Sequence, residues 1–150
     1  MPKSARPPRA SLAKGRWLGH HSMIKIPQVI GLYPCDRIDL NAQTGQVSLV
    51  GVFHALHFQT FPVPGKKFTV YAALYDGLGE ATMDLLITRL ETEGDIYSYA
   101  RWYSFPGRGR LAHVDFPVTK CAFPAPGRYV FKLRFDKHEL TQRLVDIYRG

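Results

Sequence analysis

Hydrophobic positions along this chain recur with period two rather than with the 3.6 of a helix. In "YVFKLRF", Tyr129, Phe131, Leu133 and Phe135 fall on one side while Lys132 and Arg134 fall on the other, as in a strand with one face on a core. In "FTVYAALY", Phe68, Val70, Ala72 and Leu74 alternate with Thr69, Tyr71, Ala73 and Tyr75, and Met83, Leu85 and Ile87 alternate with Asp84 and Thr88. Turn-forming stretches such as "PCDR", "NAQTG", "PVPGKK", "DGLG", "ETEGD", "PGRGR", "APGR" and "DKHE" separate these runs. Turns at roughly every 10–15 residues, with β-branched and aromatic residues between them, predict an all-β domain, an antiparallel sandwich or barrel.

Two segments also fit helical spacing. Met83, Leu86, Ile87 and Leu90 are one; Leu140, Leu144 and Ile147, with Asp136 and Glu139 placed like a cap, are the other. Both are expected to be strands because each is short and sits among strands. The alternative for residues 137–148 is one short C-terminal helix. The stretch "VSLVGVFHALHFQTFP", apolar on both faces around Gly51, Val52 and Phe53, predicts a long central strand.

At 150 residues and 45% hydrophobic content, the chain is sized for one domain with a real core. It has no apolar run of the length that crosses a membrane as a helix. The net charge of +8 changes the picture less than its size implies. Residues 1–22 hold Lys3, Arg6, Arg9, Lys14 and Arg16 and no acid, so from Met23 onward 15 bases face 12 acids, a net of +3. That extension has no hydrophobic stretch fit for a secretory signal. It is expected to be an addition upstream of a start at Met23, a disordered basic arm, or a transit-like segment, and residues 23–150 are expected to form the domain. Two cysteines, Cys35 and Cys121, are too few for a disulfide framework or a zinc pattern. Two buried thiols in a reducing, cytoplasmic compartment are the expectation.

The segments "CDR…TGQVSLVGVFHAL", "FTVYAAL" and "PGRYVFKLRFDKHEL", read together, resemble a family of small bacterial β-sandwich proteins with no assigned activity. The matching residues are Gly45, Leu49, Gly51, Val52 and Phe53, then Pro126, Gly127, Tyr129 and Phe131. The resemblance runs from about Gln28 to Tyr148. It implies an immunoglobulin-like sandwich of seven to nine strands, and it transfers no functional residue.

Candidate chemistry is thin. His54 and His57 stand three apart, which on one regular strand puts them on opposite faces and separates them as metal ligands unless a bulge intervenes. His113 and His138 lie in separate segments. Ser48, Ser98 and Ser104 lie in or at the ends of strands, outside any nucleophile elbow. Cys35, after Pro34 in a turn, is a weak candidate thiol beside Arg37. Asp36, Asp39 and Asn41 are a sparse set for calcium, and Glu91 with Glu93 reads as a solvated turn. "PGRGR" lacks the spacing of a phosphate-binding loop. The sequence thus predicts no catalytic constellation, no metal and no cofactor.

One surface stands out. In "IYSYARWYSF", Tyr97, Tyr99, Arg101 and Tyr103 share one strand face, opposite Ile96, Ser98, Ala100 and Trp102. With Trp102 in the core, a tyrosine–arginine stripe would face outward, continued by Arg108 and Arg110. Such a face suits a protein interface or the stacking of bases and sugar rings. The expectation is a non-enzymatic, immunoglobulin-like interaction module of the bacterial cytoplasm that binds an unknown protein. The alternative is a nucleic-acid- or carbohydrate-binding domain using this face, or nucleic acid meeting the basic extension.

Overall fold

The structure, a computed structural model, describes residues 23–150; the basic extension, and every expectation about the start of the chain, lies outside them. Ten strands follow in order: β1 (Gln28–Cys35), β2 (Arg37–Leu40), β3 (Val47–Val50), β4 (Ala55–Phe58), β5 (Lys66–Tyr75), β6 (Glu80–Arg89), β7 (Asp95–Ser104), β8 (Leu111–Cys121), β9 (Gly127–Phe135) and β10 (His138–Arg149). No helix occurs among the described residues. The described residues are all-β, with ten strands against an expected seven to nine. Both segments with helical spacing are strands, because alternate residues win the core: Met83, Leu85 and Ile87 in β6, Val145 and Ile147 in β10. Leu144, which the helical pattern would bury, is exposed.

The strands form three sheets. One has the order β1-β5-β8, one the order β4-β10-β9-β6-β7, and β2 pairs with β3 alone. All pairings are antiparallel except β4 with β10, which is parallel over Ala55–Phe58 and Asp146–Arg149. The two larger sheets turn their apolar faces to one shared core. Phe68, Val70, Ala72 and Leu74 of β5 and Val114, Phe116 and Val118 of β8 come from the first; Met83, Leu85 and Ile87, then Tyr129, Phe131, Leu133 and Phe135, come from the second. Phe68 meets Phe131 across the gap with ring centroids 5.8 Å apart.

The expected long strand through residues 47–58 is not there. β3 ends at Val50 in the small exposed hairpin, and β4 begins at Ala55 on the edge of the five-stranded sheet. Gly51 breaks the run. Its φ of +71° lies where side chains are disfavoured, and a Cβ there would meet the Asp36 carboxylate. Asp36 N–H donates to Val50 O at 2.9 Å, and Phe53 N–H donates to Pro34 O at 3.0 Å. These bonds pin the crossing, so Phe53 drops into the core against Phe68 at 5.5 Å, edge to face. A segment apolar on both faces here marks a crossing between sheets rather than a central strand.

Near the start of β9 the fully buried Tyr129 donates its hydroxyl to Ala125 O at 2.6 Å, tying the loop before the strand to the strand itself. Tyr129→Phe keeps the ring and orphans that carbonyl, a loss of about 1 kcal/mol. Urea unfolding should show a lower midpoint with unchanged slope; an unchanged midpoint would mean the hydroxyl contributes nothing to the corner.

Candidate functional site

The tyrosine–arginine stripe of β7 faces the other way from the expectation. Trp102 is 62% exposed, whereas Tyr97, Tyr99 and Tyr103 are half-buried and packed against the core. Tyr99 meets Phe116 edge to face at 6.1 Å, and Tyr103 meets Phe105 at 4.9 Å. Burial pushes the hydroxyls of Tyr97 and Tyr103 up from their ordinary value. Arg101 crosses from β7 to β8, donating to Asp115 O at 2.6 Å and standing 3.4 Å from its carboxylate. The physical reason is area. Three tyrosine rings bury far more apolar surface than a face holding Ser98 and Ala100, while their hydroxyls stay at the wet rim. The stripe closes one open side of the core, where the edges of the two larger sheets meet.

Arg108 does not continue that stripe as a free cation. Asp76, at φ +66° in the turn after β5, accepts from Gly109 N–H at 2.5 Å and from Arg108 Nε at 3.0 Å, and Lys25 Nζ lies 3.0 Å away. The Gly109 N–H, then Lys25 and Arg108, hold the Asp76 carboxyl down at about 2. "PGRGR" is thereby a turn fastened to its neighbour: Asp76 N–H also donates to Arg110 O at 2.9 Å. The Arg110 side chain is exposed.

The remaining residues singled out from the sequence are scattered. His57, in β4, packs against Tyr148 of β10 with ring centroids 5.1 Å apart, tilted by 30°. His54 precedes β4, and its carbonyl accepts from Asp146 N–H at 3.0 Å. His113 is hydrogen-bonded through Nδ1 to the Tyr71 hydroxyl, and His138 opens β10. Cys35 is not at a turn surface; it ends β1 fully buried, as Cys121 ends β8. Burial pushes Cys121 to about 12 and also raises Cys35, with Asp36 adding to the latter. Both are protonated at neutral pH and are poor nucleophiles. Asp39 pairs with Arg37, and the Asn41 side-chain oxygen accepts from the N–H groups of Gln43 and Thr44, so each serves its own hairpin. Ser48 lies in β3, Ser98 and Ser104 in β7, and Glu91 with Glu93 in the turn after β6.

Sequence reasoning missed two features. Arg143 mirrors Arg101 on the opposite side of the core. It leaves β10, donates to Leu32 O of β1 at 2.8 Å, and lies 5.2 Å from the Tyr33 ring centroid. The other is the outer face of the five-stranded sheet. There Arg134 grips the buried Asp84 through two bonds of 2.8 and 2.9 Å, Arg128 holds Asp146 at 2.8 Å, and Trp102, Leu144 and Tyr148 are exposed. The alternation in β9 pointed to the Arg134 side, but nothing local marked Asp84 as its partner, fifty residues earlier.

Two outcomes follow from this geometry. Tyr99→Ala should cost about 2 kcal/mol in denaturant unfolding, while Trp102→Ala should stay within about 0.5 kcal/mol; the reverse order would restore the outward stripe. Asp76 has its folded pKa lowered to about 2 from 3.8, so its contribution is fully present above the unfolded value and is lost as pH falls through the folded one. Thermal midpoints between pH 7 and pH 2 should fall less steeply in Asp76→Asn than in the parent chain. Parallel acid limbs would exclude Asp76 as a source of the slope.

A family model described as a family of unknown function (DUF6941) matches residues 32–147. No curated protein matches the chain. Among solved structures, Pseudomonas fluorescens alkylpurine DNA glycosylase AlkC, bound to DNA containing an abasic site analog, is similar over 63% of this chain at 13% identity and a TM-score of 0.41. This chain covers 27% of that one. The family match takes in β2 to β9 whole, the second half of β1 and most of β10, and on that coverage the chain belongs to the DUF6941 family of unknown function.

Proposed function

We propose that residues 23–150 are a non-enzymatic, immunoglobulin-like β-sandwich that binds another polypeptide along β7, in the bacterial cytoplasm. The strand orders β1-β5-β8 and β4-β10-β9-β6-β7 support a two-sheet Greek-key reading. The Tyr129 hydroxyl, bonded back to Ala125, supports the immunoglobulin-like version, since such a corner recurs where that fold enters its sixth strand. The resemblance to small bacterial proteins supports the source. Two buried, protonated thiols support a reducing compartment.

The observation that carries the binding reading is Trp102. A tryptophan 62% exposed on a ten-residue edge strand is a large apolar anchor in water, and tryptophan dominates binding energy at protein interfaces. The residues first expected to form the face take other parts. Tyr97, Tyr99, Arg101 and Tyr103 hold β7 rigidly against the core, and Arg108 braces the turn that follows it, where Arg110 takes part through its carbonyl.

The test compares affinity capture of polypeptides from native lysate by the parent chain and by Trp102→Ala, with retention on single-stranded DNA and on polysaccharide run alongside. Loss of specific polypeptides in the variant, at unchanged thermal midpoint, is the expected outcome. Salt-sensitive retention on nucleic acid, or retention on polysaccharide, that disappears on replacing Arg101, Arg108 and Arg110 with Ala would overturn this reading in favour of the alternative.

A further inference from the structure

We infer that the polypeptide seated on β7 is a second copy of this chain, added antiparallel across a twofold axis at Ala100. The inference rests on the reading of β7 as the binding strand.

The backbone sets which residues are offered. Phe105 N–H donates to Gly79 O at 2.9 Å, and the register Ala81↔Tyr103, Met83↔Arg101, Leu85↔Tyr99 continues from that bond. Directly opposed residues that bond alternate with those that do not. Odd-numbered residues of β7 therefore bond to β6, and Ser98, Ala100, Trp102 and Ser104 turn their N–H and C=O groups to the open edge. All four are exposed. An edge of this length with no proline and no inward-turning bulge at its centre is a template for another strand.

The side chains select the occupant. With Ala100 opposite the partner's Ala100, Ser98 faces the partner's Trp102 and Trp102 faces the partner's Ser98. The bulky ring thus meets one of the smallest side chains on the strand, twice, as a self-complementary twofold contact requires. On the other face Arg101 stands opposite the partner's Tyr99, with its guanidinium held on Asp115. No like charges oppose. Slipping by one pair in one direction sets Arg101 against the partner's Arg101. Slipping in the other direction sets Trp102 against the partner's Ile96, where the β6–β7 register is irregular. The preferred register gives about six backbone hydrogen bonds from its three central pairs.

The full chain is examined by sedimentation equilibrium over a wide concentration range, beside Ala100→Pro, Ala100→Cys and Ser98→Cys. Proline at 100 removes only an N–H that faces the open edge, so Ala100→Pro should keep the parent's circular dichroism and thermal midpoint yet sediment as a monomer. Across the twofold, residue 100 meets its own copy with Cα atoms about 5.5 Å apart, within disulfide reach. Under mild oxidation Ala100→Cys should form a covalent dimer and Ser98→Cys should not. Should Ala100→Pro not fold, the cysteine pair still decides. A parent chain monomeric throughout overturns the inference. So does a dimer that survives in Ala100→Pro, or a Ser98→Cys chain that cross-links as fast as Ala100→Cys. A monomeric parent that still captures other polypeptides through Trp102 removes the second copy and leaves the protein-binding reading standing; a monomer that captures none removes both.

Discussion

A three-stranded sheet cannot cover a five-stranded one, and most of what is particular to this domain follows from that mismatch. β5 and β8 lay Phe68, Val70, Val114 and Phe116 over β6 and β9, but among the described residues the narrow sheet approaches the flanks of the wider one only with its own edges, β8 toward β7 and β1 toward β10. Apolar surface left there would meet water at about 25 cal/mol for each Å². Side chains close the sides instead. On one flank Tyr97, Tyr99 and Tyr103 lean from β7 toward β8; on the other, Phe58, Phe61 and Phe123 pack beside Phe53 and Phe68.

The same mismatch explains the two arginines that span the gap. Arg101 leaves β7 for the Asp115 carbonyl of β8, and Arg143 leaves β10 for the Leu32 carbonyl of β1. Each satisfies a carbonyl on an unpaired edge of the narrow sheet and places a cation where an added strand would have to bond. Charges turned toward an edge are a recognised defence against edge-to-edge pairing. In both cases the long aliphatic stem covers apolar surface while the guanidinium stays at the rim. Two basic residues are thereby committed to the fold, and Arg108, Arg128 and Arg134 are committed likewise to Asp76, Asp146 and Asp84. Positive charge that is paired inside the molecule contributes little to attracting an anionic polymer.

How much of this was legible in the sequence depended on how unequal the two faces of each strand were. In β9 the contrast between Tyr129, Phe131, Leu133 and Phe135 and the intervening Lys132 and Arg134 left one solution, and those four residues are in the core. In β7 both faces carry an aromatic, and a lone tryptophan weighs more on any scale of single residues than a tyrosine. What decided the matter was a sum over the face and the presence of a neighbouring sheet edge, which no local pattern encodes. Residues 47–58 failed for a different reason. Apolar character on both faces fits a buried central strand and a crossing segment equally well, and only the left-handed turn at Gly51, held by Asp36, separates them. The Asp76 cluster was hidden because its members, Lys25, Arg108 and Gly109, are far apart in sequence.

The edges are not defended alike, and the proposal for β7 rests on that asymmetry rather than on any motif. The narrow sheet has a guanidinium on a carbonyl at each of its edges. In the wide sheet β4 is four residues long, and beyond it Arg149 donates to the Gln59 carbonyl at 3.3 Å. Short edges and edge cations both blunt pairing. β7 is ten residues long, and its one cation, Arg101, is drawn beneath the strand to β8, leaving the outer edge to Ser98, Ala100, Trp102 and Ser104. Stability alone gives no reason to leave a ten-residue edge open while the others are blunted, nor to set a tryptophan on its wet face, where replacement by a polar residue would relieve the exposure. The stripe of tyrosines beneath it fixes β7 in place, and a rigid strand loses less entropy on pairing than a mobile one. Strand, anchor and support together are the ground on which β7 is proposed as the strand that a partner covers.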